Sequence, residues 1–248
     1  MKIRVFGSVA LAVLCSFTSV LAQAESNSKS SAASGASASA ITPTTPPIDL
    51  ARAALASLGG EKFKSVKNMV LRGSVDLYAP NSTQSIPGAF VIATAGDKVR
   101  IEIDARPAIS FKQIFDGQQS YSSLPGVTLP PLSKFGIAVL SKFDQPGYTV
   151  TALPDKKKQR AFRISDAEGN STDFYIDSTT GRVMSFLVPY NGQTFGTEYK
   201  KFKDVEGVLV PATFTMRMEM QQGAFFADYT VKDMKLNQNL GDDVFAIP

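Results

Sequence analysis

Residues 208–220 read VLVPATFTMRMEM, and residues 224–234 read AFFADYTVKDM after a short Gln-Gln-Gly link. Apolar and polar residues alternate along both stretches, and this period of two predicts β-strands. The glycine-containing link predicts that they pair as a hairpin. One face of the first strand carries Val210, Ala212, Phe214, Met216, Met218 and Met220. We therefore expect this face to point towards an apolar interior.

The same alternation recurs through most of the chain. It covers residues 69–77, 90–92 and 98–104, where Val99, Ile101 and Ile103 share one face. Further hairpins are predicted for residues 111–115 with 118–122, 160–165 with 172–177, and 182–188 with 194–202. Around ten or eleven strands in sequential hairpins predict a mainly β (α+β) fold, an antiparallel meander that curls into a barrel or half-barrel.

Two segments have helical spacing instead. Ile48–Leu58 begins after Pro47 and ends at Gly59-Gly60, which predicts a helix before the first strand. A second apolar segment follows Leu129-Pro130-Pro131, and its helically spaced residues are Leu132, Phe135, Val139, Leu140 and Phe143. This segment is either a helix packed on the core or a lid over the mouth of the curved sheet.

The N-terminal residues predict export. Lys2 and Arg4 precede an apolar run from Val5 to Leu21, and Ala22-Gln23-Ala24 follows it. This order is typical of a signal peptide cut after Ala24, and a membrane anchor is the alternative. Residues 25–47 are rich in Ser, Ala, Thr and Pro, which predicts a flexible tether or a spacer without function. The folded domain is expected over residues 48–248.

The composition disfavours catalysis. The 248 residues include no His, and the one Cys, Cys15, lies in the predicted signal peptide. Histidine-dependent triads and histidine metal sites are therefore excluded, and we expect no catalytic residue, metal or cofactor. Removing Lys2 and Arg4 lowers the formal net charge from +4 to +2. The case for nucleic-acid binding is correspondingly weak, and we expect no nucleic-acid partner.

Three charged clusters are candidate sites. A calcium loop is suggested by Asp166, Glu168, Asn170, Thr172 and Asp177, but Ser171 stands where such a loop needs glycine, so a hairpin is the better interpretation. The carboxylates of Glu102 and Asp104 share a strand face, which is more typical of a solvated surface than of a glycosidase. The basic run Lys156-Lys157-Lys158 is interpreted as a protective strand edge or a peripheral contact with anionic lipid.

The methionine-rich face is the most informative apolar feature. Met has three rotatable bonds and a polarizable sulfur, so it fits irregular or changing volumes. The face is either ordinary core or part of a deformable cavity for an alkyl chain. The candidate cavity residues are Phe214, Met216, Met218, Met220, Phe174, Ile176, Met184, Phe186, Phe225, Tyr229, Val99, Ile101 and Ile103.

Several short motifs resemble one family. They are the first helix, Phe115-Asp116-Gly117 followed by Tyr121 and Pro125, the apolar segment at 131–143, Phe174-Tyr175-Ile176-Asp177 with Thr180-Gly181, and Asp243-Val244-Phe245. In this order they resemble the periplasmic outer-membrane lipoprotein carriers, the LolA/LolB-like family, over residues 48–248. The resemblance implies an unclosed antiparallel barrel, capped by one or two helices, around a cavity for acyl chains. The Arg-Pro pair that helps to hold the lid in carriers is replaced by Ala95-Gly96, so no switch residue is carried over.

Two functions are compatible with these observations. The first is a periplasmic, non-enzymatic binding protein for lipid or lipoprotein acyl chains, a class that includes outer-membrane lipoprotein sorting. The second is a cell-envelope sensor or assembly module that uses the same fold to bind a protein partner.

Overall fold

Twelve antiparallel strands form a single sheet in the part of the chain that the computed structural model describes, residues 41–125, 129–220 and 223–248. The predicted signal peptide and most of the predicted tether lie outside these residues. The strands are β1 Asn68–Tyr78, β2 Ser85–Ala95, β3 Lys98–Ala105, β4 Ile109–Phe115, β5 Ser120–Ser122, β6 Thr149–Ala152, β7 Gln159–Ser165, β8 Ser171–Asp177, β9 Val183–Tyr190, β10 Gln193–Val205, β11 Val208–Met220 and β12 Gly223–Leu236.

The first and last strands join two meanders into one sheet. The strand order is β5-β4-β3-β2-β1-β12-β11-β10-β9-β8-β7-β6, so β5 and β6 are the edges and the sheet does not close. Every predicted hairpin is present, including β7–β8, which occupies the position of the candidate calcium loop. The prediction of a mainly β, antiparallel half-barrel is confirmed.

The hairpin of β11 and β12 has the predicted inward face. Phe214 pairs with Tyr229 across the two strands, and their rings stack with centroids 4.7 Å apart and an interplanar angle of 8°. The next pairing, β12 with β1, has a register shift between Arg72 and Gly73. A Cβ on Gly73 would lie 2.0 Å from the carbonyl oxygen of Thr230. The backbones of β1 and β12 approach closely at this point, and a residue with a Cβ would not fit. This explains why glycine stands at position 73 in the otherwise alternating pattern of β1.

Two α-helices precede the sheet, α1 Pro47–Ser57 and α2 Glu61–Lys64. Helix α1 starts one residue before its predicted position and buries Leu50, Ala51, Ala54 and Leu55. It packs against β6 and β7 at one end of the sheet, whereas α2 contacts β11. None of the helices in the described residues has the length and apolar character needed to span a membrane.

The apolar segment after Pro131 differs from the predicted helix. It contains one 3₁₀ helix of six residues, Gly136–Ser141, within residues 129–148, which we call the cover segment. Phe135 is extended, with φ −140° and ψ 168°, and Gly136 has φ +64°. These two conformations prevent a continuous α-helix, although the apolar spacing suits one.

Candidate functional site

A cavity of about 550 Å³ lies between the inner face of the half-barrel, helix α2 and the cover segment. Its size is within the range of typical small-molecule sites. Residues of β1, β2, β9, β10, β11 and β12 supply one wall, and residues 132–148 supply the opposite one. The apolar side chains that line it include Met69, Leu71, Ile92, Phe186, Val210, Phe214, Met216 and Leu236.

Three of the thirteen predicted cavity residues line this cavity: Phe186, Phe214 and Met216. Most of the others are buried in the main core beside it: Phe174, Ile176, Tyr229, Val99, Ile101 and Ile103. Three are only partly buried and do not line it: Met184, Met218 and Phe225. The side chain of Met220 lies outside the described part of the structure.

The position of Met184 has a backbone cause. The β8–β9 register shifts between Tyr175 and Ile176, so Ile176 pairs with Val183. Val183 is consequently fully buried, and Met184 is displaced from the inner face that the alternation predicted for it. A bulge of this kind cannot be recognised from the spacing of apolar residues alone.

The predicted lid residues divide into two groups. Leu132 and Phe135 line the cavity, and the Phe135 ring also makes an edge contact with Tyr190 at 5.5 Å between centroids. Val139, Leu140 and Phe143 are instead buried in the main hydrophobic core. The cover segment is therefore a wall of the cavity with its other side anchored in the core.

Ion pairs hold the cover segment at the mouth of the cavity. The Lys142 ammonium donates a hydrogen bond to Asp97 Oδ1 in the β2–β3 turn at 2.7 Å. Lys64 of α2 donates to Asp144 Oδ2 at 2.9 Å. This hydrogen bond raises the pKa of Lys64 despite partial desolvation, and it lowers the pKa of Asp144. Isolated charged residues in loops have no periodic signal, so these ion pairs were not predictable from the sequence.

Polar groups also face the interior of the cavity. Ser133, Thr197 and Tyr199 line it and are 3%, 6% and 8% exposed. Burial raises the pKa of the Tyr199 hydroxyl, so this group stays protonated at neutral pH. Tyr199 is thus a potential hydrogen-bond donor to a ligand, and it is unsuited to act as a base. The site combines apolar walls with a few polar groups, which suits the binding of an amphiphile.

The basic run lies away from the cavity, in the β6–β7 turn. Its three lysines are exposed, and the Lys156 ammonium lies 4.0 Å from the centroid of the Tyr175 ring. The contact with anionic lipid stays a prediction.

Comparison with solved structures identifies the fold. No protein-family model matches the chain, and no curated protein matches it in sequence. A LolA superfamily protein from Nitrosomonas europaea superposes with a TM-score of 0.51 at 14% identity, covering 78% of this chain and 97% of that one. A DUF1329 family protein from Desulfovibrio piger has a TM-score of 0.51 at 9% identity, covering 82% and 98%. The chain has a LolA-like fold, as the sequence motifs predicted.

Proposed function

We propose that this chain is a non-enzymatic binding protein that takes up acyl chains of a lipid or lipoprotein in the cavity beneath the cover segment. The observation that carries the proposal is the apolar lining of a cavity of about 550 Å³. Each methylene that leaves water contributes roughly 0.8 kcal/mol before the costs of ordering the ligand are subtracted. The LolA-like fold supports the choice of ligand class.

The walls of the cavity suit a flexible chain. Met216 can change rotamer to follow ligands of different length, whereas Phe186 and Phe214 provide rigid surfaces. Contacts of this kind need no reactive group, and the proposal accordingly assigns no catalytic residue, metal or cofactor. Uptake would remove the acyl chain from water and hold it until a partner or membrane accepts it.

A lipid extraction tests this proposal directly. Purified protein is extracted with organic solvent, and the extract is analysed by mass spectrometry. We expect acyl-bearing lipid from the wild type and much less from Ala138→Phe, because Ala138 lines the cavity and a ring there would fill it. Ala167→Phe is the matched control, since Ala167 is exposed in the β7–β8 turn. Equal lipid content in both variants, or none in the wild type, would reject the proposal.

The alternative is a cell-envelope sensor or assembly module that binds a protein partner. Such a partner could add a strand to a sheet edge, but β5 has three residues and β6 has four. Short edges offer an added strand few backbone hydrogen bonds. The short edges therefore disfavour the addition of a strand by a partner, whereas the apolar cavity supports the lipid proposal. A stable protein partner recovered with lipid-free protein would favour the alternative.

We also propose that the protein acts in the periplasm after cleavage of the signal peptide at Ala24. The basis is the order of Lys2, Arg4, the apolar run and Ala22-Gln23-Ala24. N-terminal sequencing of the exported protein should begin at Glu25. An intact Met1 or an acylated Cys15 would contradict this localisation.

A further inference from the structure

One residue that lines the cavity has a buried hydroxyl without a partner in the part of the chain that the structure describes. Ser133 is 3% exposed, and its Oγ has no hydrogen-bond partner among the described residues. Ser133 also lines the cavity. Folded proteins rarely leave a buried donor unsatisfied, because its lost hydration is not compensated. Rotation about the Cα–Cβ bond of Ser133 would turn this hydroxyl towards the cavity, where an oxygen of a bound ligand would supply the missing acceptor.

A cation lies next to this hydroxyl in the fold. The Lys142 ammonium donates to the backbone carbonyl of Ser133 at 3.3 Å and to Asp97 Oδ1 at 2.7 Å. An ammonium has three N–H donors, and these two contacts use two of them. Lys142 lines the same cavity, with a side chain that is 26% exposed. One corner of the cavity thus brings a serine and a lysine side chain together.

We propose that Ser133 and Lys142 form a head-group subsite for the carboxylate of a free fatty acid whose chain lies in the cavity. This inference rests on the proposed function. A carboxylate accepts hydrogen bonds without donating any, and its bonds to charged donors are strong. A phosphate monoester would bring additional negative charge close to Asp97, which disfavours it here. Acyl chains bound as esters or amides have no carboxylate, so the subsite selects free fatty acids.

Calorimetric titration of the mature protein, Glu25–Pro248, tests the subsite with laurate, methyl laurate and dodecyl phosphate. We expect laurate to bind about tenfold more tightly than the ester, because hydrogen bonds to charged groups are the stronger ones. Ser133→Ala should weaken laurate about tenfold and the ester a few-fold, since the ester carbonyl still accepts from the hydroxyl. Lys142→Met should weaken laurate about tenfold and the ester by less, because the ester carbonyl carries no charge.

Asp97→Asn is the matched control for the loss of the ion pair. It breaks the contact between Asp97 and Lys142 but leaves the ammonium in place, and it removes a competing carboxylate. Laurate should therefore bind as tightly as in the wild type, or more tightly. Weaker binding that equals the loss in Lys142→Met would show that the ion pair has only a structural role, and would overturn the subsite.

The remaining outcomes separate this inference from the proposed function. A wild type that binds neither laurate nor methyl laurate would defeat both. Equal affinity for the two ligands, unaffected by Ser133→Ala, would defeat the subsite and leave the acyl-binding proposal intact. Tighter binding of dodecyl phosphate than of laurate would overturn the assignment to a carboxylate. Circular dichroism confirms that each variant is folded, and Ser133→Ala and Asp97→Asn still decide the question if Lys142→Met does not fold.

Discussion

Gly136 lies directly against the ring of Phe186: a Cβ on this glycine would be 2.6 Å from Phe186 Cζ. Its φ of +64° also belongs to the left-handed region that other residues rarely adopt. The Gly136 amide donates to the buried Thr172 Oγ1 at 3.1 Å, which ties the 3₁₀ helix to β8. Because Phe186 lines the cavity, the cover segment is fastened to the sheet at the cavity wall.

Replacing Gly136 with Ala should therefore disturb both stability and ligand uptake. The left-handed backbone alone costs roughly 1–2 kcal/mol for a residue with a Cβ, and the clash with Phe186 adds to it. Gly96→Ala is the matched control: Gly96 has φ +55°, and its Cβ would meet nothing within 4 Å. Urea unfolding should show a larger loss of unfolding free energy for Gly136→Ala. Equal losses would contradict the contact with Phe186.

The sequence predicted the strands well because each has a buried and a solvated face. The limits of β11, Val208–Met220, match the prediction, and those of β3 and β8 differ by one residue. The prediction was poorer for residues 131–143, where the apolar spacing suits an α-helix. Backbone conformations at Phe135 and Gly136 limit the helix to one 3₁₀ segment. A spacing argument does not include such a local conformation.

The candidate site was less predictable for a different reason. Alternation indicates that Ile101, Phe214 and Met218 point inward, but it does not show which part of the inner face is filled. Ile101 is covered by the core, whereas Phe214 faces the cavity. Ser133 and Lys142 carry no periodic signal at all. Their roles depend on contacts between the cover segment and distant strands, which appear only in the folded chain.

Met216 and Met218 provide a matched test of the cavity. Both are partly buried on the inner face of β11, but only Met216 lines the cavity. Met216→Gln should lower the affinity for a fluorescent fatty-acyl probe by about tenfold, because a buried amide without partners disfavours an apolar ligand. Met218→Gln should leave probe binding nearly unchanged. Similar losses in both variants would contradict the cavity boundary.

Leucine at Met216 tests the flexibility of the same wall. The exchange conserves volume and should cost less than about 1.5 kcal/mol in unfolding free energy. Leucine has fewer rotatable bonds than methionine, so we expect binding to favour a narrower range of chain lengths. Titration with acyl probes of increasing length measures this range. An unchanged range would show that Met216 packs as ordinary core.

The pair of Lys64 and Asp144 predicts a small pH dependence at the cavity mouth. The hydrogen bond from Lys64 lowers the pKa of Asp144, so its stabilising contribution is present above the ordinary carboxyl pKa and is lost as the pH falls through the lowered value. The pKa of Lys64 is raised by the same bond, so its contribution is lost only when the pH rises beyond the ordinary lysine value. Both contributions are complete at neutral pH.

Asp144→Asn should therefore destabilise the protein by less than about 1 kcal/mol at neutral pH, as expected for a partly exposed pair. The difference from the wild type should disappear in strong acid, where the wild-type carboxyl is protonated as well. Urea unfolding across the acidic range measures this, and Lys64→Met should reproduce the neutral-pH loss. A difference that persists in strong acid would show that Asp144 acts through packing.

Ser133→Ala should make the ligand-free protein more stable, which is unusual for a polar residue in a folded domain. The Ser133 hydroxyl is buried without a partner among the described residues, and removing an unsatisfied group recovers about 1 kcal/mol or more. Ser141→Ala is the control, because Ser141 also lines the cavity but its Oγ donates to the Ala138 carbonyl at 2.7 Å. That variant should lose roughly 0.5–1.5 kcal/mol of unfolding free energy.

Adding laurate should shrink or reverse the stability advantage of Ser133→Ala, since the ligand stabilises the wild type more than the variant. Thermal unfolding with and without laurate measures both effects. A Ser133→Ala protein that is less stable than the wild type without laurate would show that the hydroxyl is already satisfied within the protein.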